Sequence, residues 1–530
     1  MKMVAVLLCW LAAFSAKANI FASDIRLNGS LQVGILLPSN TVTISYVLND
    51  AATAGVWVRI LSRTNVIKTF SSTNGSAGTN AGLNAVVWDG STGTSSNMAD
   101  GVYTVAITAA SAGYSDWTQI TDDGTNFLVT VPRGVAVNQN TNSPYYGRVF
   151  VANANTPFGI FKFNADGSPA EEGNFSSGGL SWGQATHYSP WKIAISGDDK
   201  VYVDDFSGDG VVYAFDETIS MNSIEEALRV DNYPTNDTSP QLSGLAVTGS
   251  GTNTQIWMAD NNMTNSAGII VWNTTNGLAA TNDAGTIVAP VDPSYSLSQG
   301  PFDIDVDTNG AIYAIQFINL TDPPGDTLMA FPPFQGTSET NTSWAIGNGD
   351  PTLMEADGVA VDPTATCVAV AVVGTGDPEG GQTGYLNLYN AASGNFITNL
   401  DAVNNISSTG GHAYYDVAWD RVGNLYALDW TAEVWRVYSP PGANQSTTVA
   451  VPFIQTYHNL TPPVLGEPAM RGSCLHFTLW GQSNVSYAIE QSTDLQNWTP
   501  IATNFSKLNV RHVCAPASGD AVFFKAMTLP

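Results

Sequence analysis

The chain is 530 residues long and carries 45 acidic against 18 basic side chains, a net charge of −27, with charged residues making up only 12% of the total. So acidic a surface excludes nucleic acid and anionic membrane as partners held through their phosphates, and a length well beyond about 250–300 residues excludes a single core. With 49 Gly, 27 Pro and almost no 3.6-residue periodicity, the composition excludes a helical protein and calls for short strands between tight turns.

The first residues, MKMVAVLLCWLAAFSAKA, place a Lys at position 2, an apolar run from Val4 to Phe14, and Ala16-Lys17-Ala18 in a small-x-small pattern. This reads as a signal peptide over 1–18, cleaved after Ala18, so the protein is expected to be secreted, periplasmic or extracellular. No later stretch approaches the roughly 18 apolar residues of a spanning helix, and no membrane span is expected.

Residues 24–131 hold strands parted by turn clusters, among them TVTISYVLND, GVWVRILSR and DGVYTVAITAAS. Two of its motifs, Val87-Trp88-Asp89-Gly90 and Met98-Ala99-Asp100-Gly101-Val102-Tyr103-Thr104-Val105, resemble the Ig-like domain of flagellar hook-capping proteins. The resemblance implies a β-sandwich spacer or assembly module without catalytic residues.

From 132 to 459 one pattern returns six times: PRGVAV, SPWKIAI, QLSGLAV, GPFDIDV, EADGVAV and AYYDVAW. They end at Val137, Ile195, Val247, Val306, Val361 and Trp419, at spacings of 52 to 59 residues. Each copy is an alternating strand soon followed by another across a Gly/Asp turn, as in SPWKIAISGDDKVYVDD. A β-strand repeat of this period predicts a six-bladed β-propeller. Two strands compete to complete the last blade, Phe127 to Val131 before the ring and Val449 to Phe453 after it. The short passage from FLVTV into PRGVAV favours the first. The Asp-x-x-Gly turn followed by Val201-Tyr202-Val203-Asp204-Asp205, and again Leu425-Tyr426-Ala427-Leu428-Asp429, resembles the NHL and gluconolactonase-like propellers. That likeness implies the fold and leaves the activity open, because such rings serve lyases, lactonases and binding proteins alike.

Residues 464–530 form a last strand-rich segment resembling the small β-sandwich that closes many large secreted bacterial proteins. It contains Cys474 and Cys514, which export permits to form a disulfide. Cys367, in the apolar run CVAVAVV, reads as a small buried hydrophobe. The whole is an all-β protein: an N-terminal Ig-like β-sandwich, the propeller and a small C-terminal β-sandwich.

For chemistry the sequence offers one constellation. His187 and His412 lie in the connections entering repeats two and six, and Asp204, Asp205, Asp260 and Asp429 end second strands, which in a propeller open on the same face. Trp182, Trp430 and Tyr414 are near them in sequence. Imidazoles, carboxylates and aromatic rings at one channel mouth suit a ligand, here an extracellular glycan or protein. The alternative is a metal-assisted hydrolase, lactonase or lyase at the same mouth, and a third reading makes the propeller a structural spacer. The competing structural role for each Asp is to cap its own loop. No motif calls for a cofactor, a divalent cation such as calcium being the one inorganic partner the acids suit. Asp305-Val306-Asp307-Thr308-Asn309-Gly310 matches the start of a calcium loop, but Gln316 stands where that loop needs a bidentate Glu, so it reads as a turn.

Overall fold

The computed structural model describes residues 19–530 except for short stretches, the longest being 92–100, 230–241, 375–383 and 401–411. The expected signal peptide, 1–18, lies outside the described residues. Six four-stranded antiparallel sheets follow one plan. Their inner strands are Pro132–Val137, Pro190–Ile195, Leu242–Thr248, Pro301–Val306, Ala356–Val361 and Tyr414–Trp419, one for each copy of the repeat; the sheets are called blades 1 to 6 in that order. In each the inner strand pairs with the next in sequence, for example Val135 with Val151 and Val359 with Val370.

A single blade buries neither of its faces, so neighbours must stack. Six apolar clusters do this, each drawn from two adjacent blades: Tyr202 and Val212 of blade 2 against Ile256 and Ile270 of blade 3, and so on around. The last joins Tyr426, Leu428 and Trp435 of blade 6 to Val135, Val149 and Phe163 of blade 1. The ring is therefore closed, and the fold is a β-propeller.

The fourth strand of blade 6 is Thr118–Gln119, paired with Tyr438 and Ser439. Beyond it Ile120 N–H donates to Val437 O (2.9 Å) and Val129 N–H to Glu433 O (2.8 Å), with Leu128 bridged to Val434. Closure thus comes from chain preceding the ring, as the short connection suggested. The strand itself lies about ten residues earlier than Phe127 to Val131, because Thr125–Phe127 forms a 3-10 turn and Phe127 packs edge-on against Trp435 at 4.8 Å.

The later segment goes elsewhere. Gly442–Val449 and Phe453–Gln455 pair with the long strand Gly101–Tyr114. That strand belongs to a sheet with Gly55–Ser62 and Asn65–Ser72, facing a second sheet of Ala22–Leu27, Val42–Leu48 and Gly82–Trp88. One core lies between them, with Ile44, Tyr46 and Trp88 on one side and Val58, Ile60 and Ile107 on the other. The boundaries expected at 131 and 459 are crossed both ways: 118–129 serves the propeller and 442–455 serves the sandwich, so the ring is an insertion between two hydrogen-bonded strands of the first sandwich. The last segment forms two small sheets around Leu479, Tyr487 and Ile489. There Cys474 stands opposite Pro516 and Cys514 opposite His476 on neighbouring strands; their side chains, and with them the expected disulfide, lie outside the described residues.

Around the channel the third residue of each inner strand alternates: Gly134, Lys192, Gly244, Asp303, Gly358, Asp416. Each glycine lets the next blade's charged residue come close. A Cβ on Gly134 would stand 2.2 Å from Trp191 O, on Gly244 2.6 Å from Asp303 Cα, and on Gly358 2.7 Å from Asp416 Cα. Gly358→Ala should force blades 5 and 6 apart and lower the unfolding free energy by about 1–3 kcal/mol, read from the urea midpoint.

Candidate functional site in the central channel

An inner strand bonds to its own blade along one edge and turns the other to the channel, where its N–H groups need acceptors. Three aspartates supply them. Asp416 Oδ2 of blade 6 accepts from Val135 N–H of blade 1 at 2.7 Å, Asp303 Oδ2 of blade 4 from Val359 N–H of blade 5 at 3.0 Å, and Asp305 Oδ2 from Val361 N–H at 2.8 Å. Blade 2 has Lys192 at the matching position. Its Nζ crosses the channel and donates to Asp416 Oδ1 (2.7 Å), Asp303 Oδ2 (3.0 Å) and the Asp357 carbonyl (3.0 Å). On one side of this knot the Arg133 guanidinium lies 4.6 Å from the Trp191 ring centre and 3.8 Å from that of Tyr415.

On the other side is a cavity of about 870 Å³. Its size has a local cause: two residues beyond the knot, five blades carry Ala136, Ala194, Ala246, Ala360 and Ala418, and only blade 4 carries a larger group, Asp305. The rim is made by the turns between first and second strands, including the exposed Ser250, Thr308, Asn309 and Arg421.

The knot is an ionic one in a buried place. Burial works against the Lys192 charge, but Asp303, Asp416 and Asp357 outweigh it and hold the ammonium above the ordinary lysine range. Burial also pushes up the carboxyls, Asp303 to about 8 against the pull of Lys192, and Asp305 to about 7 against its backbone hydrogen bonds. Asp357, 2% exposed and with neither carboxylate oxygen hydrogen-bonded among the described residues, is raised by burial to about 7 against Lys192 and Arg133.

Of the residues singled out from sequence, Asp205, Asp260 and Asp429 stand at the opposite end, across from Pro190, Leu242 and Tyr414 where the inner strands begin, and none of the eight that the structure describes lines the cavity. Asp260 caps its own loop, accepting from Asn262 N–H (3.1 Å) and Ala267 N–H (2.9 Å). Asp205 accepts from Ser189 N–H (3.2 Å) and Asp204 from Lys192 N–H. The structure does bring His412 and Asp429 together, Nδ1 to Oδ2 at 2.6 Å. Asp429 is also bonded by Arg436 Nη1 (2.5 Å), which in turn reaches the Tyr414 hydroxyl (3.2 Å). Burial would raise the Asp429 carboxyl, but His412 and Arg436 hold it below its ordinary value. Trp182 is a core residue bonded to Ser177 O, Trp430 is half-buried against Tyr415, and His187 lies outside the described residues. Asp307 Oδ1 accepts from Asn309 N–H (2.7 Å) and Ala311 N–H (2.9 Å), so the calcium-like stretch is a turn. Among the described residues no group of three or more His, Cys, Asp or Glu is placed to hold a metal ion.

The channel residues Lys192, Asp303 and Asp416 were missed by sequence reasoning that followed loop ends. Their signal was in the repeat itself, as the one register position that alternates glycine with charge.

No family model matches the chain, and no curated protein matches it. Solved structures similar to it include a putative 6-phosphogluconolactonase from Bacteroides fragilis (10% identity, 72% of this chain and 87% of that one, TM-score 0.35). Others are the Dos1 propeller (11%, 63% and 88%, 0.33) and the PQQ domain of pyranose dehydrogenase from Coprinopsis cinerea (12%, 59% and 93%, 0.36). The propeller assignment rests on the sheet topology described above.

Two outcomes follow from the knot. Lys192→Met leaves Asp303 and Asp416 without their counter-charge and should destabilise the fold by about 3–5 kcal/mol at pH 8, less at pH 5 where the carboxyls take up protons. For Asp357 the folded value, about 7, lies above the ordinary value of 3.8 for an aspartate. The stability it contributes is therefore present below the lower value and lost as pH rises through the higher one. Asp357→Asn should raise the melting temperature at pH 8 and leave it nearly unchanged at pH 4, measured by thermal unfolding at both.

Proposed function

We propose that the protein is a non-catalytic binding protein of the cell exterior whose propeller takes an extracellular ligand, a glycan or a protein segment, into its channel through the turn face. The cavity carries this reading. At about 870 Å³ it has the size of a small-ligand site, with a charged floor, alanine walls and a polar rim. In the same reading the export signal at 1–18 delivers the protein, the first sandwich serves as an Ig-like carrier, and a Cys474–Cys514 bridge strengthens the terminal module.

A second reading has one observation in its favour. The contact between His412 and Asp429 at the far end of the channel is the arrangement that orients an imidazole for acid–base work. Against it, Asp429 is also engaged by Arg436, Thr431 and Ala432.

Binding of mature protein to arrayed glycans and to peptides separates these readings. Ser250→Trp, an exposed rim change, should weaken binding about tenfold or more if the ligand enters the channel. Hydrolase or lyase activity lost in His412→Ala, with a stoichiometric metal in elemental analysis, would favour the enzyme instead.

A further inference from the structure

The alternation around the channel leaves one place unfilled. Asp303 turns forward onto the edge N–H of Val359 and Asp416 onto that of Val135, so two of the three even blades supply an acceptor to the next odd blade. The third such step, from blade 2 to blade 3, ends on Leu245. That residue holds the matching register position, opposite Met258 as Val359 is opposite Val370 and Val135 opposite Val151. Its N–H therefore points to the channel as theirs do. In front of it stands Lys192, which has only donors and sends its ammonium across to blades 4, 5 and 6.

Beside this donor is an unmatched acceptor. Asp303 is 3% exposed, and its Oδ2 holds Lys192 and Val359 N–H. Its Oδ1 accepts no hydrogen bond among the described residues and lies over Gly244, where a Cβ would come within 2.8 Å of it. Leu245, the residue after Gly244, lines the cavity floor together with Asp303, and Ala246 and Trp257 line the wall beside them. An acceptor that the otherwise buried Asp303 turns to the cavity and a strand-edge donor next to it call for one group that can serve both.

We propose that this pair is the binding point for a hydroxyl group of a neutral carbohydrate. One hydroxyl oxygen donates to Asp303 Oδ1 and accepts from Leu245 N–H, while the ring carbons lie along Ala246 and Trp257. An ammonium cannot accept from Leu245, and a carboxylate cannot donate to Asp303. The proposal rests on the channel being the ligand site and specifies what that site takes. A lone water has the same donor and acceptor chemistry, so the test must separate the two.

The full mature chain is titrated calorimetrically with neutral disaccharides (maltose, cellobiose, chitobiose, mannobiose) and, in parallel, with spermidine and a lysine-rich peptide. Asp303→Asn is the informative variant. Its amide oxygen is claimed by Lys192 and Val359 N–H, so the amide nitrogen takes the place of Oδ1 and turns the acceptor into a donor. Ser250→Trp closes the rim without touching the floor, and circular dichroism establishes that both are folded. Saturable binding of a neutral sugar, weakened about tenfold or more in both variants, is the expected result. Sugar binding lost in Ser250→Trp but unchanged in Asp303→Asn would overturn the hydroxyl site while leaving the channel as the ligand site. Binding of the cations alone, sensitive to Ser250→Trp, would do the same. Sugar binding indifferent to Ser250→Trp would overturn both, and no sugar binding would leave water as the only occupant and end the proposal.

Discussion

Six inner strands must each present an unpaired backbone edge to one narrow channel, and the way those edges are satisfied governs the rest of the molecule. Asp303, Asp305 and Asp416 accept from edge N–H groups of neighbouring blades. Lys192 then neutralises two of these carboxylates from across the ring. A buried ion pair is a poor source of net stability, because desolvation offsets most of the attraction. Its value here is in specification. A charged residue on blade 2 finds its partners only when blades 4 and 6 are in register around the ring.

That knot imposes an alternation on its neighbours. Blades 2, 4 and 6 bring a charged residue into the channel, and blades 1, 3 and 5 answer with glycine because their backbone lies too close for a Cβ. The same even blades place aromatic pairs at the far end of the channel: Trp191 with Phe206 (4.4 Å), Phe302 with Phe317 (5.3 Å), Tyr415 with Trp430 (5.8 Å). The odd blades put Arg133, Ser243 and Asp357 beside them. The ring is thus three two-blade units as much as six blades. Lys192, standing where the other units carry aspartate, breaks the threefold pattern, and the asymmetry it leaves at Leu245 is the most ligand-like feature of the cavity.

The sandwich provides the second constraint. Because Gly101–Tyr114 and Gly442–Val449 are hydrogen-bonded neighbours, the ring starts and ends at one place, and its closing strand is cut from the chain just before the first blade. Arg436 fastens that strand by pairing with Asp123, while its other nitrogen holds Asp429. Asp429, one of the four aspartates read from sequence as candidate ligand groups, is thereby part of the closure.

The sequence by itself determined the all-β class, the six repeats and their inner strands, since period-2 patterning and turn glycines are local properties of the chain. It also pointed to closure from the N-terminal side, because a short connection is legible in order alone. Which end of the channel holds a cavity was decided by tertiary structure. Ala136, Ala194, Ala246, Ala360 and Ala418 are unremarkable in five separate repeats and make a void only when five blades bring them to one level. Lys192 and Asp416 likewise become partners only across the ring, more than two hundred residues apart in sequence. The return of Gly442–Val449 to the first sandwich was hidden for the same reason: strand pairing depends on which edge is free in space, and no local pattern records that.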